Sequence, residues 1–150
     1  MSVLVETRAD EVTTAPCLTC GFTLWSPIVS LGVSVVGLYD DGRFPGRAIV
    51  SLKEHRDHLE ELTEGELSRF MRDIQVVSRA LRSEEGVARV NVAILGNQEP
   101  HVHAHVIPRR PEIEPLPHNA PWQDTRPRHE LSADARADIM KRLRIRLMSG

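Results

Sequence analysis

No run of apolar residues in this sequence reaches the ~18 that a membrane-spanning helix needs. Met1–Glu6 lacks a basic segment followed by an apolar core, so a secretory signal is not expected and a cytoplasmic location is. Charge of one sign is not in excess: 19 Lys and Arg face 21 Asp and Glu, a formal net charge of −2. That balance offers no basic surface for nucleic acid and no patch for an anionic membrane. Cysteine is nearly absent. The two present, Cys17 and Cys20, form a C-x-x-C, which in a cytosolic chain reads as metal ligands or a redox pair, not a structural disulfide. Internal repeats and an interdomain linker are missing too. What remains, 150 residues with 41% hydrophobic and 27% charged, has the size and balance of one globular domain spanning 1–150.

Residues 1–16 carry charge, threonine and one proline, and read as a loose arm with a short ordered piece at Val3–Val5. Residues 28–38 are rich in β-branched side chains and predict a strand, in which Gly32 and Gly37 are expected at bulges or close approaches. Tyr39-Asp40-Asp41-Gly42 is a turn signal, and Pro45-Gly46 leads into a second strand over 47–52, making a hairpin. Thr63-Glu64-Gly65-Glu66 is a capping box. Leu67, Phe70, Met71, Ile74, Val77 and Leu81 follow at helical spacing and predict an amphipathic helix ending near Gly86. Val90–Leu95 predicts a third strand, and Gly96–Pro100 a hairpin loop.

Beyond Arg109 a C-terminal extension over 110–150 begins with Pro111, Pro115, Pro117, Pro121 and Pro127, which keep it extended. Trp122 is expected to fix that segment against the body or a partner subunit. A final helix is expected over 132–148, capped by Ser132, with Ile139, Leu143 and Leu147 as its stripe. Arg142, Arg144 and Arg146 are expected on a solvated face, where they suit the helix dipole.

Between loop and extension lies Pro100-His101-Val102-His103-Ala104-His105-Val106-Ile107-Pro108-Arg109. A strand sends successive side chains to opposite faces. A strand over 101–107 therefore puts three imidazoles on one face and Val102, Ala104 and Val106 on the other. Burying three imidazoles for packing alone leaves six ring nitrogens to satisfy. The row instead reads as a site that uses nitrogen lone pairs.

His-x-His-x-His, two apolar residues and Pro-Arg resemble the signature of the histidine triad (HIT) family of nucleotide hydrolases and transferases. The likeness covers roughly residues 17–109. It implies an α+β, HIT-like fold: an antiparallel sheet of about five strands, one long helix and a C-terminal helix, in a homodimer. It also implies cleavage of the α-phosphate linkage of a nucleoside polyphosphate, such as a diadenosine polyphosphate, through a nucleotidyl-histidine. A neutral imidazole suits that task because its pKa lies near 6.5.

By this resemblance His103 is the nucleophile, His105 meets phosphate oxygens, and His101 completes the catalytic set. Asp40 sits near where members hold the ribose hydroxyls, with simple turn chemistry as the alternative. Asn91, Asn97 and Gln98 bring amides near the triad, the last two toward phosphate. Gln98 stands where many members, phosphoramidases in particular, carry a serine that serves the leaving group. An amide is a poor proton donor, so phosphoanhydrides are favoured over phosphoramidates.

Zinc-containing bacterial members place the ion on two cysteines, a histidine after the second strand and the first triad histidine. Cys17, Cys20, His55 and His101 supply that set here, implying one structural zinc per chain; His58 has no counterpart and is expected to face solvent. A nucleoside phosphoramidate hydrolase, a nucleotide-binding sensor with little turnover, and a metalloenzyme using the triad as zinc ligands are the competing readings.

Overall fold

The computed structural model describes residues 15–148; the expected order at Val3–Val5 falls outside them. β1 (Pro27–Ser30), β2 (Ser34–Leu38), β3 (Ala48–Leu52), β4 (Arg89–Ala93) and β5 (His103–Arg109) form one antiparallel sheet in the order β1-β2-β3-β5-β4. Helix α1 (Glu64–Arg82) packs on β5, β3 and β4, and α2 (Ala133–Met148) packs on β1 and α1. This is the expected α+β architecture.

The pleat assigns the faces. Val36, Leu38, Ala48, Val50, Leu52, Val102, Ala104 and Val106 are buried together with Phe70, Ile74, Val77 and Leu81 of α1 and Ile139, Leu143 and Leu147 of α2. Each fully buried Val, Leu, Ile or Phe among them contributes roughly 1.5–3 kcal/mol. The Thr63 hydroxyl accepts from the Glu66 N–H at 3.1 Å, and a Glu66 carboxylate oxygen accepts from the Thr63 N–H at 3.2 Å, so the expected capping box starts α1. Leu67 and Met71, read as part of the stripe, lie on its exposed flank instead.

The single strand expected over 28–38 is two strands, β1 and β2, joined by a tight turn. The cause is distant in sequence. Asp73 of α1 is buried and accepts from the Val33 N–H (3.0 Å) and the Ser34 hydroxyl (2.6 Å). A Cβ on Gly32 would stand 3.3 Å from the Asp73 carboxylate, so the glycine is where the turn passes close to the helix.

The C-terminal end of α2 also departs from expectation. Arg142 and Arg146 both reach Glu84, each at 3.2 Å, and Arg144 donates to the Ile28 carbonyl at 3.3 Å. Glu84 is buried just past α1, so the basic run ties the two helices together instead of facing only water.

The proline-rich extension is held by Arg109, not by Trp122, which is 69% exposed. The Arg109 guanidinium donates to Glu114 (2.7 Å), to the Asn91 side chain (2.7 Å), and to the carbonyls of Asn119 (2.6 Å) and Leu116 (3.2 Å). Its partner Glu114 is 1% exposed. Removing one member of a buried pair leaves an uncompensated charge. Arg109→Ala should therefore lose about 3–5 kcal/mol in urea denaturation, and adding Glu114→Gln should recover part of that loss. A loss below about 1 kcal/mol, the scale of an exposed ion pair, would mean that Arg109 does not anchor the extension.

Candidate functional site

β5 begins at His103, two residues later than the strand expected from 101. His101 sits in a turn closed by its own N–H to the Glu99 carbonyl at 2.8 Å. The alternation still extends back through it, because Val102 bonds to Leu52 and Arg56 through its backbone. At the other end the strand runs through Pro108, which has no N–H to give. Pairing with β3 stops at Ala48↔Val106, so at Pro108 only β4 lies alongside. The three histidines share the face opposite the core, and His101 and His103 are 3% and 6% exposed.

The ring nitrogens can be assigned from partners that have only one possible role. A carbonyl oxygen only accepts. His103 Nδ1 faces the His101 carbonyl at 2.6 Å, so Nδ1 carries the proton and Nε2 the lone pair. His101 Nε2 faces the Leu52 carbonyl at 2.6 Å, so its lone pair is on Nδ1. His55 Nε2 faces Asp57 at 2.5 Å, which likewise turns Nδ1 inward and raises the His55 pKa.

Those two inward nitrogens meet. His55 Nδ1 and His101 Nδ1 are 3.3 Å apart, with Cys17 Sγ 3.6 Å from the first and Cys20 Sγ 3.5 Å from the second. One donor atom from each of Cys17, Cys20, His55 and His101 lies within 4.8 Å of the others. Two lone pairs at that separation repel unless a cation or a proton lies between them. The Cys20 N–H holds the Cys17 thiol down to about 6, whereas burial pushes Cys20 up. Two thiols and two imidazoles form a donor set that could hold a metal ion, and Leu52 and Asp57 orient its histidines from behind.

The C-x-x-C closes on itself. Gly21 N–H bonds to the Cys17 carbonyl and Cys17 N–H to the Phe22 carbonyl, both at 2.8 Å, with Gly21 at φ 79°. This turn delivers Phe22, which sequence reasoning passed over. Its ring stacks on His101 (centroids 5.2 Å apart) and on His103 (5.0 Å). The signal available was an aromatic residue two positions after the second cysteine.

His105 is paired on both sides, with Ile49 of β3 and Ala93 of β4. An Arg47 Nη lies 3.0 Å from its Nδ1, and another Arg47 Nη donates to Asp41 at 3.1 Å. Burial, the Arg47 charge and His103 push His105 down to about 4. Neither Arg47 nor Asp41 was singled out from sequence.

The other expected residues are spread around this centre. Asp40 accepts from the Leu131 N–H (2.7 Å) and from Arg136, clamping the start of the C-terminal helix. Asn91 accepts from Arg109, and its neighbours Ala93, Ile107, Asn119 and Trp122 line a groove of about 620 Å³. No histidine of the triad lines that groove; Ala93, paired with His105, is where the two adjoin. Asn97 and Gln98 are exposed on the loop from β4 to β5, and His58 is exposed as expected.

Comparison with known proteins places this arrangement. No curated protein matches the chain. Solved structures do. A histidine triad protein from Bradyrhizobium japonicum is 25% identical, with a TM-score of 0.72 over 81% of this chain and 89% of that one. A histidine triad protein from Marinobacter aquaeolei is 22% identical, with a TM-score of 0.70 over 80% and 86% of the two chains. A Zn-bound histidine triad family protein from Mycobacterium smegmatis is 19% identical, with a TM-score of 0.59 over 82% and 84%. The HIT domain family matches residues 30–112, from the end of β1 past the triad strand. The chain belongs to the HIT family.

Proposed function

We propose that the protein is a nucleotidyl hydrolase or transferase acting on the α-phosphate of a nucleoside polyphosphate, with a dinucleoside polyphosphate as the substrate class. The observation that carries this reading is the 2.6 Å bond from His103 Nδ1 to the His101 carbonyl. In the neutral ring it leaves the Nε2 lone pair free on the middle histidine, as an attacking nitrogen requires. Nε2 attacks phosphorus in line, an N–P bond forms, and the P–O bond to the leaving phosphate breaks. The leaving oxygen keeps the electron pair. Water then attacks the same phosphorus, the N–P bond breaks, its electrons return to Nε2, and the water proton leaves with solvent. Donors set in advance around the phosphate lower the barrier; His105 and the amides of Asn97 and Gln98 fill that role in this reading.

Cys17, Cys20, His55 and His101 would hold one zinc ion per chain. With four protein ligands the ion supplies a cross-link between the N-terminal turn and the triad strand. The free thiols that such a site needs suit a reducing compartment such as the cytoplasm. A homodimer is supported by the edge of β4, where Val92 and nearby Leu95 are 44% and 63% exposed. A second reading, a nucleotide sensor with little turnover, draws support from the stacking of Phe22 on a nucleophile that is only 6% exposed.

His103→Ala should lower kcat on a diadenosine polyphosphate by about 10³-fold or more, while the nucleotide product still binds. Substantial activity in this variant removes the assignment; a wild type that binds nucleotide without turnover favours the sensor. With Gln98 in place of a hydroxyl, kcat/KM should be higher for a diadenosine polyphosphate than for an adenosine phosphoramidate, and the reverse order would contradict the role given to that position. Elemental analysis should find one zinc per wild-type chain and none in the Cys17→Ser, Cys20→Ser double variant, which should melt at a lower temperature because metal binding is linked to folding. Full zinc content in the double variant would exclude these ligands.

A further inference from the structure

We infer that Arg47 is a positioning residue that holds His105 as its Nε2–H tautomer, so that His105 offers a hydrogen-bond donor to the phosphate group that His103 attacks. The inference rests on the nucleotidyl-transfer reading above for the phosphate, and on the geometry of Arg47 for the tautomer.

A guanidinium has five N–H donors, no acceptor, and does not lose its proton in proteins. The Arg47 Nη at 3.0 Å from His105 Nδ1 must donate, and Nδ1 must accept. A neutral ring that accepts at Nδ1 carries its hydrogen on Nε2. His103, two residues earlier, is held the other way round by a carbonyl. The two histidines therefore stand on one strand face in opposite tautomers. Each has the form its task needs: a lone pair toward phosphorus at His103, a hydrogen toward phosphate oxygen at His105. In the tautomer of His103, the His105 Nε2 lone pair would repel those oxygens.

Arg47 is built to hold this geometry. The turn before it places Gly46 at φ 99° and bonds the Arg47 N–H to the Phe44 carbonyl at 2.9 Å. Its guanidinium lies 4.1 Å from the Tyr39 ring centroid and donates to Asp41, a fully buried carboxylate that Arg43 grips as well. Charged and titratable groups approach from each neighbouring segment: Tyr39, Asp41 and Arg43 between β2 and β3, His103 on β5, and Arg128 over the Tyr39 ring. Asp41 is shared between two arginines, so a positive charge is left facing His105. The same cation that sets the tautomer opposes protonation of the ring, in line with a His105 pKa of about 4. His105 is then a neutral donor through the working pH range.

The test is ¹⁵N NMR of the full chain labelled at histidine, with the His105 signals identified by their loss in His105→Gln. In the wild type, Nδ1 should give an unprotonated and Nε2 a protonated nitrogen from about pH 5 to 8, the window in which an ordinary histidine changes charge. Arg47→Met should give mixed tautomers, protonate His105 at higher pH, and lower kcat by about 10²-fold, the scale of a lost transition-state donor, with KM changed little. Arg47→Lys, which keeps a cationic donor, should restore the Nδ1-acceptor pattern and part of kcat. A wild-type spectrum with Nδ1 protonated overturns the inference, and so does an unchanged tautomer in Arg47→Met. If Arg47→Met does not fold, the wild-type and Arg47→Lys spectra still decide. If the tautomer is as stated but His103→Ala keeps its activity, the nucleotidyl-transfer reading fails and takes the phosphate role with it. If His103→Ala is inactive and the tautomer is wrong, only the inference fails.

Discussion

The bond from His103 Nδ1 to the His101 carbonyl is the contact on which the site depends. It is short, buried, and made by a backbone atom, so it survives only while the chain at residue 101 stays in place. Three restraints keep it there. Val102 pairs through its backbone with Leu52 and Arg56, the His101 ring donates to the Leu52 carbonyl, and Phe22 stacks over both rings. His101 thus serves two centres at once. Its side chain belongs to the Cys₂His₂ cluster, and its carbonyl sets the tautomer of its neighbour. Loosening the cluster would reach His103 through one residue, without any contact between the cluster and a substrate.

The sheet makes this economical. One face of β3 and β5 is apolar and carries α1, with α2 packed beyond it on β1 and α1. The other face carries Ser51, His103, Ile49 and His105 in register. A strand buried on one side can spend its other side on polar groups provided each finds a partner. Here the partners are main-chain carbonyls and one arginine, whose hydrogen-bonding roles cannot invert. Further out, Arg109 and Glu114 hold the extension, and Glu84 with Arg142 and Arg146 fastens α2. Ion pairs therefore tie down the segments on both flanks of the platform under the triad.

Much of this was legible in the sequence because the signals were local. The period-2 alternation around His101–His105 gave the face of each side chain, although the ladder itself starts at His103. Thr63 and Glu66 marked the start of α1. What was not legible depended on partners far along the chain. The turn between β1 and β2 has no Asn-Gly or Asp-Gly; it is held by Asp73, 40 residues from Val33. Arg142 and Arg146 look solvated until Glu84, 58 and 62 residues away, comes beside them. Arg47 was passed over for the same reason, since 58 residues separate it from His105. Asp40, which the family resemblance sets near the ribose hydroxyls, also accepts from Leu131 and Arg136, 91 and 96 residues away, and neither contact was legible from the turn itself.

The central claim is that a lone pair on His103 Nε2, and on no other histidine nitrogen, attacks phosphorus. It is tested most directly by quenching wild-type enzyme in alkali during turnover of a diadenosine polyphosphate, conditions that preserve an N–P bond, and mapping the adduct by mass spectrometry and ³¹P NMR. One nucleotidyl group on His103 Nε2 is the expected result. An adduct on His101, His105 or a cysteine, or on His103 Nδ1, would falsify the claim.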